Sequence, residues 1–187
     1  MDAPALLSEA VASTGKTVAG VRPNQLGDAT PCALWDVHTL LNHVIGVAGA
    51  FSHVGEGTPI NPPDASVETF EGDDYVAAYD FATAHLVDAW QRPRVLDTTI
   101  VLPIGDVPGT VAASINFVDV LVHGWDLARA TGQDAELPSH LAEPALEFSR
   151  WLVNDQLRSA GAFGPEIVVG ANATPGDSLV AFLGRTP

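Results

Sequence analysis

Cysteine and the basic residues are scarce in this chain, and each shortage excludes a class of protein. A single cysteine, Cys32, leaves no partner for a disulfide bond within the chain. Only eight Lys and Arg stand against 23 Asp and Glu, which gives a formal net charge of −15. Nucleic acids and anionic membrane surfaces are bound through basic patches. The composition therefore predicts neither a nucleic-acid partner nor a membrane partner.

Apolar segments are short as well. The longest, residues 44–51, falls far below the roughly 20 residues that a membrane-spanning helix needs. The amino terminus lacks the basic start and apolar run of a signal peptide. The 187 residues, of which 47% are hydrophobic, suffice for one domain with its own core. We therefore expect a single cytoplasmic domain over residues 1–187.

Apolar residues recur at helical spacing through most of the chain. The pattern predicts helices over residues 3–19, 36–53, 75–90, 110–131 and 141–157, with a short terminal helix over 177–183. Asp36 is a good N-cap residue for the second helix, and Gly132 is placed to end the fourth. β-branched residues flank Gly105 and Asp106, which predicts a short hairpin between residues 98 and 109.

The fourth predicted helix carries a carboxylate and an imidazole four residues apart, at Asp119 and His123. Positions i and i+4 lie on one face of a helix, so both side chains can reach the same point. Glu136 and His140 have the same spacing, but Pro138 between them does not fit a helix interior. The first pair is therefore the candidate site, and the second is a coincidence of spacing.

The surroundings of Asp119 and His123 are those of a buried polar site. A helical wheel places small, apolar and ionisable residues in one sector: Ala112, Ile115, Asn116, Asp119, His123, Asp126, Leu127 and Ala130. A solvated face would carry Lys, Arg and Glu, whereas a purely structural core face would be aliphatic. The sector is typical of a polar site inside a helix bundle. A core histidine paired with Asp119 would produce the same pattern.

A third ligand has to come from another helix, and His43 on the second predicted helix is the best candidate. Two histidines and one carboxylate leave coordination positions free, as in a working metal site rather than a closed structural one. Asp126 lies on the same face. Its roles left open are a hydrogen bond to a metal ligand, general base, a pair with Arg129, or stabilisation of the local helix.

Short strings along nearly the whole chain match a known pattern. They are Thr30-Pro31-Cys32, Trp35-Asp36-Val37, Leu40-Leu41-Asn42-His43, Leu102-Pro103 with Gly105, Val107-Pro108-Gly109, Leu121 to Gly132, and Leu183-Gly184-Arg185. These strings resemble an actinobacterial-type family of DinB-like metal-binding proteins. They are also similar to the N-terminal domain of mycothiol-dependent maleylpyruvate isomerases. The string from His123 to Gly132 is the most specific of them.

The resemblance implies an all-α fold, a DinB-like four-helix bundle with additional short helices and the small β-hairpin. It implies a divalent ion, usually zinc or nickel, with His43 and His123 in the places of the two histidine ligands. Asp119 falls where the isomerase domain carries a glutamate, so the carboxylate is one methylene shorter. Related bundles also dimerise through helix faces, which raises a homodimer as one arrangement for this chain.

Two functions stay open at this point. The first is a metal-dependent transferase or isomerase that uses a thiol such as mycothiol as cosubstrate for a small-molecule substrate. The second is a noncatalytic bundle that binds a metal or a small ligand. The isomerase has a further C-terminal domain that contributes to mycothiol binding, and we expect none in these 187 residues. Cys32 follows a proline in a turn with no His or Lys beside it in sequence, so a structural role is expected.

Overall fold

The computed structural model describes residues 1–159 and 161–187. The regular structure of these residues is mostly α-helical, with one two-stranded antiparallel sheet. Contacts divide the chain into two compact units, residues 2–133 and residues 134–187. The single domain expected over residues 1–187 stays a prediction.

Four long helices build the first unit: α1 (Ala3–Gly20), α2 (Val37–Phe51), α3 (Tyr75–Trp90) and α4 (Gly109–Thr131). Each has a local cause for its bounds. The Asp36 carboxylate accepts a hydrogen bond from the backbone N–H of Thr39 at 2.8 Å and so caps the start of α2. Gly132, with a φ of 69°, ends α4 in the left-handed conformation that glycine adopts without strain. Both of these predicted boundaries are confirmed.

The four helices form a bundle. Helices α1 and α2 each pack against both α3 and α4, so they occupy opposite corners. The predicted core stripe of α2 is buried throughout: Val37, Leu40, Leu41, Val44, Val47, Ala48 and Phe51. Burial of such side chains contributes about 1.5–3 kcal/mol each. The all-α, four-helix-bundle fold is confirmed.

Helices α1 and α4 approach closely at Gly124. A Cβ added at Gly124 would clash with the Thr14 hydroxyl oxygen and lie 3.1 Å from the Thr14 Cβ. Thr14 also donates its hydroxyl hydrogen to the backbone carbonyl of Val120 at 3.1 Å. The absence of a side chain at Gly124 therefore sets the spacing of the two helices one residue from His123.

The predicted hairpin is present and leads directly into α4. Strand β1 (Thr99–Leu102) pairs with β2 (Gly105–Pro108), with Leu102 opposite Gly105. The two-residue turn is therefore Pro103 and Ile104, and Gly105 with its φ of 115° begins the second strand. Short 3-10 helices cover Pro23–Gln25 and Val95–Asp97.

The second unit contains α5 (Ser139–Leu152), α6 (Asp155–Ser159) and α7 (Pro175–Phe182). The single helix predicted over residues 141–157 is thus two helices. Val153 adopts an extended conformation, and the Asn154 side chain accepts from the Leu157 backbone N–H to begin α6. Leu157 is half-buried rather than a core residue of α5. Among the described residues, no helix is both long and apolar enough to cross a membrane.

Candidate metal centre

The structure brings His43, Asp119 and His123 together between α2 and α4. The Nε2 atom of His43 lies 3.6 Å from Asp119 Oδ1, and the Nε2 atom of His123 lies 3.5 Å from the same oxygen. The centroids of the two imidazole rings are 4.9 Å apart. Two histidines from different helices therefore converge on one carboxylate.

These separations fit a divalent metal ion. Ligand atoms bound to zinc at about 2.0–2.1 Å in tetrahedral geometry lie about 3.3–3.4 Å apart. The two observed N to O distances of 3.5 and 3.6 Å are close to that value. The second carboxylate oxygen of Asp119, Oδ2, is buried and has no hydrogen-bond partner among the described residues. A buried carboxylate oxygen without a donor is costly, and a cation beside it would compensate that cost.

The three candidate ligand side chains are partly accessible to solvent. The side chains of His43, Asp119 and His123 are 19%, 24% and 12% exposed. A closed structural site would have a fourth protein ligand. Three partly exposed protein ligands instead leave one coordination position for water or a small molecule. The arrangement therefore suits a small ligand that reaches the ion.

The other ring nitrogen of His123 is held by Asp126. His123 Nδ1 lies 3.0 Å from Asp126 Oδ2, and the Asp126 side chain is completely buried. A carboxylate can only accept, so Nδ1 carries a hydrogen, and Nε2 is the ring nitrogen that faces Asp119. Histidine ligands of metals commonly donate their second nitrogen to a carboxylate in this way. Of the roles left open for Asp126, the geometry favours a hydrogen bond to His123, a candidate metal ligand.

The charges of the site are strongly coupled. Burial by itself would raise the pKa of the Asp119 carboxyl, but the neighbouring His123 and His43 outweigh burial and hold that pKa far below its usual value. Burial would lower the pKa of His123, yet Asp119, Asp126 and Cys32 together raise it well above 6.5. In the absence of a metal the site is therefore an ion pair, and a metal would have to displace the proton of His123.

Cys32 is the site residue that sequence reasoning missed. Its Sγ atom lies 3.1 Å from Asp126 Oδ2 and 3.7 Å from His123 Nδ1. Cys32 has no histidine beside it in sequence, but the fold brings it next to His123, which lies 91 residues further along the chain. The signal that was available is the Thr30-Pro31-Cys32 string, which the resemblance singled out without giving it a role.

A tight turn before α2 positions Cys32. The Thr30 hydroxyl oxygen accepts from the Cys32 backbone N–H at 3.1 Å and donates to the Trp35 carbonyl at 2.9 Å. The Trp35 backbone N–H donates to the Cys32 carbonyl at 3.1 Å. Leu34 is strained in this turn, because its φ is 72°, in the left-handed region. Its side chain is fully exposed. Strained residues of this kind concentrate at functional sites.

Trp35 packs on the site from the same turn. Its ring centroid is 4.7 Å from that of His43 and 6.0 Å from that of His123. Asn42, next to His43, faces away and accepts from both the backbone N–H and the hydroxyl of Thr69 at 2.7 and 2.8 Å. Trp35 is thus part of the site wall, and Asn42 links α2 to the following loop.

The remaining candidates lie outside the site. Arg129 is exposed, and its guanidinium carbon lies 5.5 Å from the centroid of the Trp125 ring. Glu136 precedes α5, which begins at Ser139, so it does not share a helix with His140. The exclusion of the Glu136 and His140 pair is therefore confirmed.

Comparison with known proteins places this geometry in a family. The family described as "Mycothiol maleylpyruvate isomerase N-terminal domain" matches residues 7–128, which include all the residues of the site. Two relatives from Mycobacterium tuberculosis are each 40% identical over 172 residues, covering 90% of both chains. They are "Uncharacterized protein MT0763" of strain CDC 1551 / Oshkosh and "Uncharacterized protein Rv0738" of strain ATCC 25618 / H37Rv.

Solved structures support the same relation at the level of the fold. The crystal structures of mycothiol-dependent maleylpyruvate isomerase and of a histidine-to-alanine mutant of it match with TM-scores of 0.62 and 0.63, at 16% identity. The matches cover 78% of this chain, and the chain spans 66% of the isomerase. The chain belongs to the mycothiol maleylpyruvate isomerase N-terminal domain family.

Proposed function

We propose that this protein binds a divalent ion, zinc or nickel, through His43, Asp119 and His123, and that it catalyses a thiol-dependent transferase or isomerase reaction with mycothiol or a similar thiol. One observation carries the proposal: two imidazole Nε2 atoms lie 3.5 and 3.6 Å from the same carboxylate oxygen. The family gives the thiol, because the related isomerase is described as mycothiol-dependent.

Each residue has a defined task at such a site. A divalent ion supplies a Lewis acid that favours the thiolate form of a bound thiol. His43 and His123 provide neutral nitrogen donors, and Asp119 offsets part of the positive charge. Asp126 keeps the hydrogen on His123 Nδ1, 3.0 Å away, so that Nε2 stays available. Trp35 packs against the His43 ring and restricts its orientation.

The composition of the chain bears on its partners and its location. With a net charge of −15 and eight basic residues, we propose a small-molecule substrate and neither nucleic acid nor membrane as a partner. We further propose a cytoplasmic location, where low-molecular-weight thiols and the cysteine thiol stay reduced. A homodimer through a helix face is the oligomer to test first.

The metal site is tested by elemental analysis of the untagged protein purified without added metal, followed by titration with zinc and with nickel. We expect about one ion per chain in the parent, and none in His43→Ala or His123→Ala variants that keep the parent's circular dichroism spectrum. His53→Ala is the matched control, because His53 is exposed and its ring nitrogen lies 3.0 Å from Glu56. A parent that takes up neither metal would contradict the site and leave a buried ion pair.

The reaction is tested separately, by turnover of small electrophiles with and without added thiol. Turnover that needs both the metal and the thiol, and that is lost in His43→Ala, supports the enzyme. A metal-loaded parent that accelerates no such reaction with any thiol would favour the noncatalytic bundle.

A further inference from the structure

We propose that Cys32 is a positioning residue of the metal site, acting through Asp126 to fix the orientation of His123. The proposal rests on the metal site proposed above. It assigns a role to the single cysteine of the chain, which lies outside the set of expected ligands.

The contact geometry defines a three-residue network. Asp126 Oδ2 lies 3.1 Å from Cys32 Sγ and 3.0 Å from His123 Nδ1, so one carboxylate oxygen accepts from both donors. The sulfur also lies 3.7 Å from Nδ1, beside the imidazole edge. The thiol therefore holds the carboxylate from one side while the imidazole holds it from the other.

The Cys32 thiol is an important second donor because the Asp126 carboxylate is buried. The Asp126 side chain is completely buried, and a buried carboxylate is stable only when its oxygens are hydrogen-bonded. Thiols are weak donors, but a bond to an ionised acceptor is about twice as strong as a neutral one. Without the thiol, Asp126 Oδ2 keeps His123 and loses Cys32, so both the carboxylate and the ring gain freedom to rotate.

The turn from Thr30 to Trp35 supplies the rigidity that a positioning residue needs. Thr30 accepts from the Cys32 backbone N–H, and Trp35 donates to the Cys32 carbonyl. The same turn places Trp35 against the His43 ring. This short turn therefore orients both histidines of the site. It contacts His43 directly through Trp35, and it reaches His123 through Cys32 and Asp126.

Three variants test the proposal by zinc affinity, measured by competition with a chelator. Loss of a partner that orients a metal ligand weakens binding by about 10–100-fold. We expect Cys32→Ala to lower the affinity about tenfold, and Cys32→Ser to restore most of it because a hydroxyl keeps the donor. Ser114→Ala is the control, since Ser114 is also a small polar residue but donates within α4 to the Thr110 carbonyl at 2.8 Å.

Two results would overturn the proposal. They are an unchanged affinity in Cys32→Ala, and a Cys32→Ser variant as weak as Cys32→Ala. Cobalt substitution provides a third: a thiolate-to-cobalt charge-transfer band would make Cys32 a direct ligand instead.

A second readout separates this proposal from the metal site itself. In the metal-free protein, the hydrogen on His123 Nδ1 can be followed by nuclear magnetic resonance. We expect its exchange with solvent to quicken in Cys32→Ala and to recover in Cys32→Ser. If the parent binds no metal, the proposed function fails while this exchange still decides the role of Cys32. Equal exchange in all three proteins would overturn that role.

Discussion

His123 uses both of its ring nitrogens, and this double use defines the chemistry of the site. Nε2 faces Asp119 at 3.5 Å, while Nδ1 faces Asp126 at 3.0 Å. The two carboxylates make the imidazolium form favourable in the metal-free protein. The same arrangement makes His123 a well-oriented ligand once its Nε2 proton has left.

Zinc uptake should therefore release a proton. Because the pKa of His123 is raised well above 6.5, the ring is protonated near neutral pH and must lose one hydrogen to bind the ion. We expect about one proton per zinc and an affinity that falls as the pH falls. Isothermal titration in buffers with different heats of ionisation measures this number. A binding heat that does not depend on the buffer would show that His123 is already neutral.

Leu34 should be replaceable by glycine with a gain in stability. A non-glycine residue in the left-handed region, such as Leu34, destabilises the fold by about 1–2 kcal/mol. The Leu34 side chain is fully exposed, so its packing contributes little stability. The higher backbone entropy of glycine in the unfolded chain offsets about 0.5–1 kcal/mol. We expect Leu34→Gly to raise the free energy of unfolding by up to about 1 kcal/mol in urea denaturation. Leu34→Ala keeps the Cβ and should show no gain; an equal gain would point away from backbone strain.

Among the elements, the pair α1 and α4 depends on the glycine beside His123. Gly124→Ala improves helix propensity by about 1 kcal/mol, yet the added Cβ would overlap Thr14 on α1. Overpacking of this kind costs about 1–3 kcal/mol. We expect a net loss of up to about 2 kcal/mol in the free energy of unfolding. We also expect weaker zinc binding, because α4 carries two of the proposed ligands.

Gly49→Ala is the matched control for that change. Gly49 lies within α2, and a Cβ there would meet nothing within 4 Å. We expect this variant to gain up to about 1 kcal/mol from helix propensity alone. Destabilisation of both variants to the same extent would contradict the role of helix spacing at Gly124.

For the molecule as a whole, metal binding should raise the free energy of unfolding. A ligand that binds only the folded state at about 100 times its dissociation constant adds about 2.7 kcal/mol to the free energy of unfolding. We expect zinc at that excess to shift the denaturation midpoint of the parent and of His53→Ala alike. The His43→Ala variant should show no shift, and a shift as large as the parent's would place the ion elsewhere.

Much of the fold could be predicted because its causes are local. The α2 stripe is buried as its periodicity predicted, Asp36 caps α2, and Gly132 ends α4. Asp119 and His123 meet because a helix places positions i and i+4 on one face. The prediction was wrong for the fifth helix, which ends at Leu152 because Val153 is extended.

The amino-acid sequence alone predicted the four bundle helices, the buried stripe of α2 and the candidate metal ligands His43, Asp119 and His123. The path of the chain decided the rest. Cys32 reaches Asp126 across 94 residues, and Trp35 reaches His123 from the turn before α2. No periodicity or spacing encodes such contacts, because they depend on how the turn from Thr30 to Trp35 lies against α4. Only the packed bundle joins a thiol, two carboxylates and two imidazoles in one site.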